Sequence, residues 1–380
     1  MNIIHQLRFC FCKPSQHKTV SKIQDHRFKL YFHTQKIFMK ICFIMYPWES
    51  IKAKQDSTIR LVHECAVRGH DVAITTPQSL TIRDSVTYSD CRTIIYSQKV
   101  SSSMTKFHLS TKFKNGMRAL KDFDVIFMRD NPPLDPFVLN FLDSIKDEAF
   151  IVNTVNGLRE ANNKIYTAAY YDPEKEIIPT THVSKNIDYL LGIIKQSDKN
   201  KMIMKPLDGY GGHGVIVIEK SAMENIRSLL EFYINKSKGE SNYVILQEYV
   251  EGAENGDVRI IMLNGKPIGA LRRIPAKGDI RSNISAGGSV EQYKITKEDR
   301  VLCDIIGKKL VKDGIYFAGL DIISGKLIEI NVLSPGTIAD INKLNNVKLQ
   351  IEIIDFLEKT VAKRVLQKEN PRSKHLYEDK

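Results

Sequence analysis

The first 38 residues show neither the alternation of a half-buried strand nor the three-to-four spacing of an amphipathic helix. At Lys40 the pattern changes. Residues 40–46, KICFIMY, form an apolar run of buried-strand length. A loop follows, then a helix whose Ile59, Val62, Cys65 and Ala66 share one face, with Asp56 placed to cap its start and Gly69 just past its end. Residues 70–75, HDVAIT, read as the next strand. This strand, helix and strand predict an α/β unit built on a doubly wound parallel sheet. Residues 80–120 are polar and poorly periodic, and an edge hairpin and a surface loop are expected there. The apolar pattern returns at 124–136, a strand ending in Arg129 before a proline-stiffened loop. Residues 149–170 then read as a strand, a turn containing Gly157 and a helix.

A domain boundary is expected near residue 160. From about 175 to 240 a smaller α/β unit follows, with strands at 201–205 and 215–220 around a glycine loop and a helix through Leu229, Leu230 and Phe232. Strand-rich sequence runs from 243–250 to 327–333. A closing helix presents Val347, Ile351, Ile354, Leu357, Val361 and Val365 as a stripe assigned to core packing.

Composition narrows the classes. At 42% hydrophobic and 26% charged residues the chain is an ordinary globular one, not a disordered or collagen-like one. No stretch approaches the roughly 20 apolar residues that span a bilayer, so no membrane partner is expected. Six scattered cysteines without a CxxC spacing point to a reducing compartment rather than to zinc or a disulfide frame. Of the net charge of +12, residues 1–38 supply +6, from seven basic residues less one acid. The body is only weakly basic and shows no basic–aromatic stripe, so nucleic acid is not expected as a partner. The acid-poor extension has the colour of an organelle transit peptide, but an upstream start codon with Met39 as the working start is the reading preferred here.

Two constellations carry chemistry. In MKPLDGYGGHGVIVI, Lys205 ends a strand and Gly209, Gly211, Gly212 and Gly214 follow. Such glycines let backbone N–H groups approach an anion closely, as a polyphosphate requires. The phosphate-loop signature is absent and a strand follows the loop, so this is a strand–loop–strand flap. An ordinary flexible hairpin is the competing reading. In GLDIISGKLIEINVLSPG, Asp321 lies on one strand and Glu329 and Asn331 on the next. Residues two apart share a face. A three-residue turn, Ser324-Gly325-Lys326, would put Asp321 opposite Glu329, giving three oxygen ligands of the kind Mg²⁺ accepts. Three solvated polar positions are the alternative, a costly one on so apolar a hairpin.

Together these strings resemble the ATP-grasp carboxylate–amine ligases, and within them the prokaryotic glutathione synthetase family. KQDST, MRDNPP, NKIYTA, KPLDGYGG, RRIPAKGDIRSNISAGG, GLDII and EINVLSP occur in family order over roughly residues 39–360. The resemblance implies an extension over 1–38, an N-terminal substrate domain over 39–160, an ATP-grasp lid over 161–240 and a C-terminal ATP-grasp domain over 241–380, α+β in character. It also implies transfer of the ATP γ-phosphoryl to a carboxylate, and attack of an amine on the acyl phosphate, joining glycine to γ-glutamylcysteine in the cytoplasm. Two Mg²⁺ ions, or Mn²⁺, would sit on Asp321, Glu329 and Asn331. ATP would meet Lys164, Lys205, Asp208, Gly209, Tyr210, Gly211, Gly212 and Gly214, with Gln247, Glu248, Tyr249 and Val250 at adenine and Asp257 near the ribose or a metal. Arg259, with Lys205, is the catalytic candidate. Arg129, Arg273, Arg281 and Asn283, with Ser334, Pro335, Gly336 and Thr337, would hold the peptide carboxylates. The resembled family is usually tetrameric, which implies a homo-oligomer. The chain departs from the pattern at Tyr46, where aspartate often precedes the proline, at Asp130, where lysine is common, and in SPGTIADIN, which replaces SPT[GC]I. A related ligase joining another amino acid or amine to a peptide or protein, and a non-catalytic ATP-binding regulatory module, are the alternatives. The intact set of Lys205, Asp321, Glu329 and Asn331 argues against the regulatory module.

Overall fold

The computed structural model describes residues 37–96, 99–207, 209, 211–235, 242–278, 281–283 and 287–369. The chain divides into Met1–Phe38 and Met39–Lys380, and the architecture below belongs to the second unit. The extension and the charged tail after residue 369 lie outside the described residues, apart from 37–38.

The first part of this unit contains β1 (Lys40–Met45), α1 (Thr58–Arg68), β2 (Asp71–Thr75), β3 (Leu80–Arg83), β4 (Val86–Ile95), α2 (Met104–Ser110), β5 (Lys112–Ala119), β6 (Val125–Arg129), α3 (Pro136–Asp143), β7 (Phe150–Val152) and α4 (Val155–Ala161). Every residue of β1 from Ile41 to Met45 is buried, as an apolar run must be in a sheet covered on both faces. β1 pairs in parallel with β2 and β6, and β6 with β7, so the expected parallel sheet is present. Residues 80–119 hold more structure than their pattern suggested. β3, β4 and β5 form an antiparallel annex on that sheet, with α2 between β4 and β5. The inward positions of β4 include Thr87 and Ser89, both fully buried. Thr87 donates to the Phe141 carbonyl at 2.9 Å, and Ser89 bonds the Thr75 hydroxyl at 2.7 Å. Buried hydroxyls satisfied in this way leave no hydrophobic alternation to read.

Asp56 caps the start of α1 as expected, accepting from the Ile59 amide at 2.7 Å and also from the Tyr46 hydroxyl, although Ser57 is the residue directly before the helix and makes no side-chain cap of its own. One detail of the expected helices differs. Gly157 lies inside α4 rather than in a turn. A Cβ there would come 2.6 Å from the Asp313 carbonyl oxygen, so close packing on that segment requires the glycine.

A second sheet with its helices follows: α5 (Ile165–Ala168), β8 (Thr181–Ser184), α6 (Ile187–Gln196), β9 (Lys201–Pro206), β10 (Ile216–Glu219), α7 (Met223–Ile234) and β11 (Val244–Glu248), the last of which joins this sheet although it lies past the boundary expected at 240. Its antiparallel sheet runs β10-β9-β11-β8. Leu190, Ile194, Met204, Ile226 and Leu230 pack it against its helices as a core of its own.

The last part comprises β12 (Asp257–Leu263), β13 (Lys266–Ile274), β14 (Ser289–Gln292), α8 (Lys297–Lys312), β15 (Phe317–Ile323), β16 (Lys326–Asn331), α9 (Ile338–Asn345) and α10 (Leu349–Glu369). The antiparallel order is β14-β13-β12-β15-β16. The β15–β16 turn has two residues, not three: Ser324 and Gly325, at φ 46° and 78°, connect the Ile323–Lys326 pair. A bulge between Asp321 and Ile322 supplies the odd residue, so Asp321 still faces Glu329. The buried stripe of α10 is Leu349, Ile353, Ile354, Leu357, Val361 and Ala362. Val347, Ile351 and Val365, expected in it, are exposed.

Asn153, 2% exposed, joins the first sheet to the last. It accepts from the Tyr316 and Phe317 amides at 2.8 and 2.7 Å and donates to the Phe317 and Val332 carbonyls at 2.8 Å each. Asn153→Ala leaves these backbone groups unpaired in a dry interior, and denaturant unfolding should register a loss of about 3 kcal/mol or more.

Candidate active site

The register of the last sheet builds one face of the site. Asp257 pairs with Arg273 across β12 and β13, and Arg259 with Asp321 across β12 and β15. Asp321 pairs with Glu329, and Gly319 with Asn331. Period two then turns Asp257, Arg259, Arg273, Asp321, Glu329 and Asn331 to a single face. The charges are tied together. Arg259 donates to both Asp321 oxygens at 2.5 and 3.0 Å. Arg273 donates to both Asp257 oxygens at 2.6 and 2.7 Å and reaches Asp321 at 3.0 Å. The Ser282 hydroxyl donates to Asp257 at 2.6 Å. Burial alone would raise the Asp321 carboxyl, but Arg259 and Arg273 outweigh it and bring it down to about 2. It stays ionised throughout the neutral range. Two carboxylates and a carboxamide form a hard-oxygen donor set that fits Mg²⁺ or Mn²⁺, with a ligand's own oxygens completing the shell. Among the described residues no group of three His, Cys, Asp or Glu side chains offers a fuller cage.

The second sheet supplies the opposing wall. Lys205, 8% exposed, donates to Gln247 Oε1 at 2.7 Å. Burial, with Lys164 adding to it against the pull of Glu329, brings its ammonium down to about 8. Lys164, just before α5, donates to the Gly209 carbonyl and lies 3.5 Å from Glu329. Gly212, at φ 80°, packs so tightly on the 281–283 segment that a Cβ would sit 2.5 Å from Asn283 Oδ1.

Two adjoining chambers result. The first encloses about 870 Å³ of solvent-open space and is lined by Lys164, Lys205, Gly209, Gly211, Gly212, Gln247, Glu248, Tyr249, Val250, Asp257, Arg273, Arg281, Asn283, Asp321 and Glu329. The second is lined by Arg259, Asn331, Ser334, Pro335 and Gly336, and it shares Lys164, Gly209 and Glu329 with the first. Arg273, Arg281 and Asn283 therefore stand on the wall of the first chamber, not beside Ser334 to Gly336, where they were expected to act together. Arg129 lines neither. It is fully buried behind the second chamber, donating to Thr58 Oγ1 at 3.1 Å and to the Pro335 carbonyl at 3.2 Å, with Nη1 unpartnered. Thr337 and Gly214 line neither chamber: Thr337 is left-handed at φ 73° before α9, and the Gly214 carbonyl accepts from Tyr233. Asp208 and Tyr210 lie outside the described residues.

The sequence reading passed over several lining residues. Asn162, Asn163, Pro132, Pro133 and Leu134 bound the second chamber. Ile203, Val215, Ile323 and Ile328 give the first its apolar walls, and His213 also borders it. Period two could have found Ile203, which shares a face with Lys205. Asn163 stands at the head of the string NKIYTA, but no local signal marks Asn162.

Comparison with known proteins agrees with this architecture. Residues 39–159 match the family description "prokaryotic glutathione synthetase, N-terminal domain", and residues 163–346 match its ATP-grasp domain. The glutathione synthetase of Gloeobacter violaceus is 34% identical over 328 residues, 84% of this chain and 96% of that one. That of a Nostoc species is 30% identical over 335 residues, 85% and 99% of the two chains. Among solved structures, D-cycloserine synthetase DcsG superposes with a TM-score of 0.56 at 13% identity, covering 85% of this chain and 99% of that one. D-alanyl-alanine synthetase A from Vibrio cholerae gives 0.53 at 11%, covering 86% and 99%. At such identities these two structures speak to the fold alone.

The depressed Lys205 sets a pH dependence. It is charged below about pH 8 and neutral above. Affinity of the first chamber for a polyphosphate should fall as pH rises through about 8, with proton uptake on binding there, both readable by calorimetric titration in buffers of different ionisation enthalpy.

Proposed function

The chain belongs to the prokaryotic glutathione synthetase family, and on that premise we propose that it joins glycine to γ-glutamylcysteine at the expense of ATP, releasing ADP and phosphate. The observation that supports this most is the adjacency of the two chambers across Lys164, Gly209 and Glu329. A phosphoryl group handed from a nucleotide in one to a carboxylate in the other must pass this boundary.

ATP occupies the first chamber. Its base lies among Ile203, Val215, Ile323 and Ile328 with the hinge from Gln247 to Val250 along its edge, and Asp257 stands toward the ribose or a cation. Lys164 and Lys205 meet phosphate oxygens, and the glycine flap, Asp208 and Tyr210 included, covers them. Glu329, Asp321 and Asn331 would hold Mg²⁺ or Mn²⁺, which would supply Lewis-acid neutralisation of phosphate charge. The peptide substrate occupies the second chamber against Ser334, Pro335 and Gly336, with Asn162 and Asn163 opposite. Thr337 sets the turn out of this loop, and Arg129 supports it through Pro335.

A carboxylate does not react with an amine at neutral pH because its oxygen is too poor a leaving group. Attack of a carboxylate oxygen on the γ-phosphorus expels ADP and makes an acyl phosphate. The glycine amine then adds to the acyl carbon, and phosphate leaves as the amide forms and the nitrogen sheds its proton. Most of the acceleration in such chemistry comes from positioning and charge neutralisation. Arg259 borders the second chamber and is the residue proposed to stabilise the acyl phosphate and the tetrahedral oxyanion. Arg273, Arg281 and Asn283 close the site from the first chamber's wall. No covalent nucleophile is required. The described cysteines, Cys42, Cys65, Cys91 and Cys303, are buried and free, which supports a cytoplasmic, reducing setting. A homo-oligomer is part of the same proposal. No helix among the described residues is long and apolar enough to cross a membrane.

Phosphate release by the purified protein with ATP and Mg²⁺ should require γ-glutamylcysteine and glycine together. Release with a different carboxylate and amine alone would overturn the assignment. Glu329→Gln keeps the shape of the hairpin while removing one charge, and turnover should fall by about two to four orders of magnitude with the melting temperature little changed.

A further inference from the structure

Gln247 sits on β11, an inner strand of the four-stranded sheet, and its carboxamide is committed at both ends. Oε1 accepts from Lys205 at 2.7 Å, and Nε2 donates to Thr181 Oγ1 at 2.9 Å. Thr181 in turn donates to the Pro179 carbonyl at 2.8 Å. The sheet register places all three side chains. Gln247 is the cross-strand partner of Thr181 on β8, and Ile245, two residues away on the same face, is the partner of Lys205 on β9. Lys205 and Gln247 are thus diagonal neighbours, within reach of long side chains.

The relay has a direction. The Pro179 carbonyl can only accept, so the Thr181 hydroxyl must donate to it and turn a lone pair toward Gln247. Only the NH₂ end of the carboxamide can use that lone pair, and the oxygen end is then left facing Lys205. Reversing the carboxamide would aim N–H groups at an ammonium, two donors with no acceptor between them. Lys205 and Gln247 are both buried, so water cannot repair such a fault cheaply.

We propose that Thr181, through Gln247, is a positioning residue that aims the Lys205 ammonium at the phosphates of the bound nucleotide. The hinge then offers a base mainly its backbone from Glu248 to Val250, while the Gln247 side chain serves the lysine. The proposal rests on the reading of Lys205 as a phosphate contact.

The test compares Thr181→Val, which keeps the shape and loses the hydroxyl, with Thr181→Ser, which keeps the hydroxyl, and with Lys205→Gln. Binding of ADP and of adenosine to each full-length protein is measured by titration. Thr181→Val should weaken ADP by about five- to tenfold and leave adenosine unchanged, and Thr181→Ser should restore ADP binding. Equal losses for ADP and adenosine, no loss for ADP, or a Ser variant as weak as the Val variant would each overturn it. Should Thr181→Val not fold, Thr181→Ala carries the same comparison. If Lys205→Gln weakens ADP over adenosine while the threonine variants do not, only the relay fails. If Lys205→Gln leaves ADP untouched, the phosphate reading itself has failed.

Discussion

Four charges that exclude most water must share one face of one sheet, and each must find its opposite. Asp257, Arg259, Arg273 and Asp321 are all nearly buried. Their alternation, Arg259 on Asp321, Asp321 on Arg273, Arg273 on Asp257, neutralises each member. Removing one partner from a buried pair typically costs about 3–5 kcal/mol because a charge is left behind. The register of β12 with β13 and β15 is therefore held by electrostatics as well as by backbone hydrogen bonds. A slip of β12 by one residue would turn Asp257 and Arg259 into the apolar core and bring Val258 and Ile260 to the site face instead. Glu329 and Asn331 inherit their direction from that register.

The other layers are arranged around this face. Asn153 and Arg129 reach it from the parallel sheet, the first through the backbone of β15, the second through the Pro335 carbonyl. Ser57, at the start of α1, accepts from the Ile338 amide at 3.1 Å and so fixes the far end of the same loop. An arginine with no carboxylate beside it is an expensive thing to bury. Burial lowers the Arg129 guanidinium, with only distant help from Tyr46 and Asp56. Tyr46 follows β1, and Asp130 follows β6, the strand that ends in Arg129. Tyr46 donates to Asp56, and burial raises the Asp130 carboxyl.

Much of this could be read along the chain, for identifiable reasons. β1, β6 and the β15–β16 hairpin are nearly pure apolar runs, and the polar residues on the hairpin had to be compensated by something. The register came out as expected although the turn did not, because one bulged residue substitutes for one turn residue. The antiparallel annex was hidden because its inward side chains are hydroxyls. The stripe of α10 was misplaced because Ile351 and Val365 match the period but face solvent, whereas Ala362 is small enough to be overlooked. The positions of Arg129 and Thr181 were beyond any local pattern. Each depends on a partner more than 60 residues away, and only the assembled sheets bring those partners into contact.

Gly209 lines both chambers, and its carbonyl is held by Lys164, which lines both as well. A wall common to two rooms cannot be lifted from one alone. A substitution at Lys164 or Gly209 therefore cannot be confined to one space: it redraws the boundary of both chambers at once.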